Sequence, residues 1–299
     1  MATLRDIKLR IKSVKSTQKI TKAMKMVSAS KMKRAEDRIR QARPYSDKLR
    51  EMVSNLSDGL DETSHPLLAK RKEGKAIVLV ISSDRGLCGG LNSNLLKRVE
   101  AFARRKAKEI DQVEVITLGK KGFEFFKKSE FQPTDSIKGL RDAETEAALV
   151  STMERLIDGY ANGEYNQLWL AYNHFKNVIS QIPTVDQVLP MQPPEAKPLA
   201  AAPHGVEKHA EEKEQVEFLL EPSKEEILDV ILPQYVENQA FTALLDNQAC
   251  EHASRMTAMD SASKNAGELI SSLTLKYNRA RQAAITTELT EIISGAESL

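Results

Sequence analysis

The two ends of the chain carry one hydrophobic pattern and the middle carries another. Positions 4, 7, 11, 14, 18, 21, 25, 28, 32, 35, 39, 42, 46, 49, 53, 56 and 60 form an unbroken 3-4-3-4 frame, with Leu4, Ile7, Ile11, Val14, Ile39, Leu49, Val53, Leu56 and Leu60 among its apolar members. A second frame runs from 228, 231 and 235 to 277, 280 and 284, and holds Leu228, Ile231, Tyr235, Leu245, Met259, Ile270 and Leu273. An apolar stripe that recurs about every 3.5 residues has to be covered by another stripe. Each end supplies what the other lacks. The pattern predicts an antiparallel coiled coil of the two terminal helices, 1–60 and 223–299, with a separate domain, 61–222, inserted between them.

Local signals refine the two helices. Thr3 with Asp6 three residues later reads as a capping box. Pro44 predicts a kink or break in the first helix and Pro233 a break in the second, and Gly59 with Ser64, His65 and Pro66 marks the end of the first.

The middle alternates strand and helix. Ala76-Ile77-Val78-Leu79-Val80-Ile81 is a continuous β-branched apolar run, as in a strand buried on both faces. A glycine-rich turn, Asp84 to Asn92, leads into a helix over 93–108, with Asn92 as its expected cap. Val113–Leu118 is a second strand, followed by a short helix after Gly122. A helix over 142–162 precedes a strand over Gln167–Tyr172, and Phe218-Leu219-Leu220 is predicted as a last short strand. The order argues for a small α/β domain with a largely parallel sheet. Residues 192–214, rich in Pro, Ala, Glu and Lys, read as a mobile surface loop.

The first frame is irregular in one place. Gln18, Thr21, Lys25 and Ser28 are polar, while Ile20, Met24 and Val27 lie one step off the frame. At the other end, Ile285, Leu289 and Ile292 leave the frame that Ala284 closes. A stripe that rotates off its partner offers itself to something else; ordinary drift between a period of about 3.6 and one of 3.5 is the alternative. Methionines at 24, 26 and 32 suit a surface that repacks, or plain core filling. The small residues Ala249, Ala253, Ser254, Ala258, Ser261, Ala262, Ser263 and Ala266 let two helices approach closely.

Charge sharpens the pairing. The net charge is only +2, yet residues 1–50 hold sixteen Lys or Arg against four acids, and 216–299 hold thirteen acids against six bases. One helix neutralises the other, and the positive excess is left for an acidic partner outside the pair. Nucleic acid is a rival partner, but a forked basic region or helix-turn-helix is missing. Two cysteines, Cys88 and Cys250, make neither a disulfide framework nor a metal cluster. No apolar run approaches the roughly 20 residues of a membrane span. The turn Asp84-Arg85-Gly86-Leu87-Cys88-Gly89-Gly90 sits where doubly wound folds bind phosphate. It matches neither the dinucleotide nor the P-loop pattern, which favours a tight turn needing positive φ. Catalytic residues, cofactor and metal ligands are all predicted absent.

Four segments carry a family resemblance: Ile20 to Met32, the turn Asp84 to Asn92, Ala253 to Met259, and Tyr277 to Ile292. Together they resemble the gamma subunit of the F-type ATP synthase, over essentially the whole chain. The resemblance implies a long antiparallel coiled coil of the N- and C-terminal helices with a small Rossmann-like α/β domain inserted. It further implies a central rotor stalk of the complex, peripheral on the cytoplasmic face of the cell inner membrane. Such a stalk has no catalytic site of its own and couples proton flow to ATP synthesis or hydrolysis at beta-subunit sites. Three alpha and three beta subunits, an epsilon subunit and the membrane c-ring are the implied partners. Matching contact positions are Met24 and Lys25, Arg255, and Gln282 with Thr286, the last two as a catch for a beta-subunit loop; Arg255 is expected to face acidic or polar groups of the ring. The 192–214 loop looks like a proteobacterial-type insertion. The two-cysteine segment of chloroplast members is absent, so thiol switching is not expected.

Overall fold

The computed structural model describes residues 3–57, 65–71, 74–140, 142–192 and 223–297. The elements follow in the order α1 (Leu4–Ser57), β1 (Lys75–Ile81), α2 (Leu91–Lys106), β2 (Gln112–Leu118), α3 (Lys120–Phe126), β3 (Pro133–Ile137), α4 (Asp142–Ala161), β4 (Gln167–Phe175), β5 (Gln181–Leu189) and α5 (Lys224–Glu297). The chain falls into two compact units. One comprises Met1–Lys33, Leu87–Gly89 and Glu251–Leu299; the other comprises Arg34–Gly86 and Gly90–Cys250. The unit boundaries therefore fall inside α1 and α5. The boundaries expected at 60/61 and 222/223 involve residues outside the description.

In the first unit α1 and α5 pair antiparallel. As the α1 position falls from Lys25 to Gln18, its α5 partner rises from Asp260 to Ser263. The capping box forms as expected: Thr3 N donates to Asp6 Oδ2 at 3.0 Å and Asp6 N to Thr3 Oγ1 at 3.2 Å. Two orphan amides at the start of the helix are thereby satisfied.

The second unit holds a five-stranded sheet in the order β3-β2-β1-β4-β5. β1 pairs parallel with β2 and with β4, β2 pairs parallel with β3, and β5 joins β4 antiparallel. Alternate residues of β1 point to opposite faces. Ile77, Leu79 and Ile81 meet α4 through Leu149, Met153 and Tyr160, with Val53 of α1 and Leu232 and Val236 of α5 in the same core. Val78 and Val80 meet Leu95, Val99 and Phe102 of α2 and Phe126 of α3. Burial on both faces is why the run reads as continuously apolar.

Several expectations are corrected. Neither proline ends its helix: Pro44 lies inside α1 and Pro233 inside α5. Each costs a backbone hydrogen bond, and both are flanked by buried turns that hold the helix together, Leu49 and Val53 near the first, Leu232 and Val236 near the second. Asn92 does not cap α2. It lies within the first turn, accepts from Ser83 N at 3.2 Å and donates to Ser83 Oγ at 2.7 Å, while Gly90 takes the cap position. The helix predicted over 93–108 is set two residues earlier. β3 and β5 are additions to the predicted elements, and both are the edge strands where proline is tolerated: Pro133 opens one and Pro183 lies in the other. The predicted strand Phe218-Leu219-Leu220 and the loop 192–214, apart from Gln192, lie outside the described residues.

Candidate interaction surface

The polar stretch of α1 does not leave the seam. Thr21 and Ser28 are 8% and 3% exposed, and every frame position from Leu4 to Leu56 is buried or half-buried. Polar partners make this possible. Gln18 Nε2 donates to Ser263 O at 3.3 Å, Thr21 Oγ1 to Gln18 O at 3.1 Å, and the Lys25 ammonium sits 2.5 Å from Asp260 Oδ1. A Cβ on Gly267 would stand 3.1 Å from Gln18 Nε2, so glycine makes room for the glutamine. Asp260 also accepts from Lys264 at 3.0 Å. Its hydrogen bond to Lys25, then that to Lys264, holds its carboxyl below the usual range.

The off-frame side chains face solvent. Ile20, Met26 and Val27 are exposed, and Met24 is half-buried between frame and ridge. The ridge is apolar, but Lys19 and Lys22 are exposed beside it. It suits a protein surface that is both apolar and acidic.

Arg255 lies against its own helix. It is 7% exposed, and its guanidinium lies 2.6 Å from Glu251 Oε1, one turn back on α5.

Gln282 and Thr286 are exposed one turn apart. The Thr286 hydroxyl donates to Gln282 O at 2.9 Å, and Thr290 repeats the bond to Thr286 O at 2.8 Å. These hydroxyls close on their own helix, and the Gln282 carboxamide projects into solvent. Around them Ile285, Leu289, Ile292 and Ile293 are 48%, 54%, 68% and 59% exposed. After Ala284 every described side chain of α5 is exposed. The α1–α5 register explains this: carried back to Leu4, the start of α1, it reaches α5 near Tyr277–Arg281.

The glycine turn is anchored at its first residue. Asp84 accepts from Lys120 N at 2.7 Å and from Gly139 N at 3.2 Å. Its carboxylate thus ties the turn after β1 to the turns that follow β2 and β3. Gly89 has φ 57° and Leu87 φ 62°, the left-handed conformation expected of the turn. The buried Cys88 offers its carbonyl to Ser254 Oγ at 2.7 Å. Among the described residues no group of three or more His, Cys, Asp or Glu could hold a metal ion, and no helix is long and apolar enough to cross a membrane.

Comparison with known proteins gives one consistent family. A family model described as ATP synthase matches residues 3–299. The chain is 48% identical over 301 residues to an ATP synthase gamma chain of Geotalea uraniireducens, covering 100% of this chain and 99% of that one. It is 49% identical over 299 residues to the gamma chain of Geobacter metallireducens, with the same coverage of 100% and 99%. Among solved structures, the Tetrahymena thermophila mitochondrial ATP synthase central stalk and c-ring contains a chain with TM-score 0.56 and 26% identity, covering 82% of this chain and 99% of that one. A chain of the Euglena gracilis mitochondrial ATP synthase shares the fold at TM-score 0.66 and 18% identity, covering 99% and 94%. The chain belongs to the ATP synthase gamma-chain family.

Proposed function

We propose that the chain is the central rotor stalk of an F-type ATP synthase. In this reading it couples transmembrane proton flow to ATP synthesis or hydrolysis on beta subunits. The observation that carries the reading is the end of α5, where Ile285, Leu289, Ile292 and Ile293 stand in solvent on a helix that has outrun α1. Apolar surface of this extent needs a surrounding protein. Three alpha and three beta subunits forming a sleeve supply one. The exposed ridge of Ile20, Met26 and Val27 with its lysines meets the same sleeve, and excess positive charge on α1 steers acidic loops toward it.

Rotation works through asymmetry. The helices present different side chains at each azimuth, so each beta subunit meets a different face and binds nucleotide differently. That difference is a coupling free energy between sites. Met24 and Lys25 contribute apolar and cationic contact, while Gln282 with Thr286 offers a carboxamide to a beta-subunit loop. Arg255 serves by holding Glu251 on α5. The α/β unit faces the epsilon subunit and c-ring at the cytoplasmic side of the inner membrane, as a peripheral component. Affinity purification of the tagged chain from its own cells tests the assignment. Recovery of alpha and beta chains at three copies each supports it; recovery of the chain without them contradicts it.

A further inference from the structure

A seam built only from an apolar repeat has several nearly equal alignments, because sliding one helix by a heptad again sets stripe on stripe. α5 is especially open to this. Ala253 and Ala266 are buried and Ala262 half-buried, and side chains this small give a close approach but few shaped holes. The polar stretch has one good alignment. Lys25 meets Asp260, and Gln18 meets Ser263 O beside Gly267. Moving α5 by seven places puts Gly267 or Ala253 where Asp260 stands. Lys25 then faces no carboxylate, and the space that Gly267 leaves for the Gln18 carboxamide is taken by the side chain of Thr274 or Asp260.

We propose that Gln18 and Lys25 on α1, with Asp260 and Gly267 on α5, are positioning residues that fix the axial register of the two helices, with Thr21 and Ser28 as buried polar neighbours in the same stretch. Apolar side chains at these positions would bury more hydrophobic surface. The polar set therefore trades stability for a unique alignment, as single polar layers do in other coiled coils. The consequence for coupling rests on the rotor reading: a shaft that slides along its seam dissipates twist as screw motion.

The experiment measures register by distance. Spin labels are placed on the full-length chain at the exposed positions Lys8→Cys and Ser261→Cys; the native Cys88 and Cys250 are buried. Pulsed dipolar spectroscopy on this background is expected to give one narrow distance. In the variant Gln18→Leu, Thr21→Val, Ser28→Ala, Asp260→Ala, a second population displaced by about 10 Å, seven residues of helical rise, is expected, with helicity retained. Asp260→Glu keeps the single distance. A single unshifted distance in the apolar variant overturns the proposal. Should that variant lose helicity, Gln18→Leu with Asp260→Ala is the deciding pair: a broadened or split distribution supports the lock, and an unchanged one overturns it. In the assembled complex the apolar variant is expected to lower ions moved per ATP at least about two-fold. Failure of the unaltered chain to recover alpha and beta would sink the rotor reading and leave the register result standing.

Discussion

Lys25 on α1 and Asp260 on α5 meet at 2.5 Å, with Lys25 43% and Asp260 32% exposed at the side chain. The lysine therefore belongs at once to the seam and to the outer surface. One side of its ammonium is fixed by the partner helix, and the other is open to a surrounding protein. Asp260→Asn is expected to leave Tm nearly unchanged by calorimetry, because a pair this wet contributes little. Its loss is expected instead in assembled complexes, as reduced ion transport per ATP.

Met24→Lys places a second ammonium beside Lys25 on the margin of the exposed ridge. Met24 is only half-buried, so the chain should fold with a circular-dichroism spectrum like the unaltered one. Ion pumping per ATP hydrolysed should fall while ATPase turnover persists. Normal yield per ATP in membrane vesicles would count against a contact at Met24.

The Gln282 side chain is exposed, and the Thr286 hydroxyl donates to the Gln282 backbone carbonyl rather than to the carboxamide. Gln282→Leu should therefore leave the Tm of the chain unchanged and lower ATPase activity of the assembled ring. A lost hydrogen bond of about 0.5–1.5 kcal/mol corresponds to roughly 2- to 10-fold. Steady-state turnover equal to that of the unaltered complex would remove Gln282 from the contact set.

Two histidines in the α/β unit should respond oppositely to pH. His174 Nδ1 lies 2.6 Å from Asp246 Oδ2. That hydrogen bond raises its pKa above the ordinary 6.5, against the cost of burial. The stability it adds is complete below 6.5 and is lost as pH rises through the raised value. With the ring half-exposed, it amounts to less than about 1 kcal/mol. His65 accepts from Leu67 N at 3.1 Å through Nδ1, and burial lowers its pKa despite Asp229. Its neutral form is favoured, so it removes stability as pH falls below 6.5. Imidazole NMR titrations should place the two pKa values on opposite sides of 6.5, and Asp246→Asn should bring His174 down.

Gly119 joins β2 to α3 with φ 103°, and an added Cβ would stand 2.2 Å from Ser82 O. Ser82 Oγ there also accepts from Gly122 N at 2.8 Å, so the neighbouring backbone has little room to move. Gly119→Ala should destabilise the chain by about 2–4 kcal/mol in urea unfolding.

How far the sequence revealed this molecule depended on how each residue is used. The terminal frames were legible because a 3.5-residue repeat sustained for dozens of residues arises from little besides a helical seam, and Thr3 with Asp6 announced its own geometry. β1 was legible because both its faces are buried. β3 and β5 were not: as edge strands, PTDSI and QIPTVDQVL carry proline and polar residues that obscure any alternation. The breaks that Pro44 and Pro233 suggest do not form, because the packing around them overrides local propensity. The polar frame residues, taken alone, suggest a stripe turning outward. Only the facing sequence, Asp260, Ser263 and Gly267, shows that they stay inside, and that pairing is three-dimensional. The exposure of Ile285, Leu289 and Ile292 was legible from the point where the frame stops. Burial of Arg255 against Glu251 was in principle visible, as an acid four residues before a base on one helix.

Rotation itself can be watched. A bead fixed to an exposed site of this chain, in an alpha–beta complex held to glass, should turn in one direction when ATP is added and stop when ATP is removed. Sustained ATP hydrolysis by the same complexes with a motionless bead would contradict a stalk that carries torque.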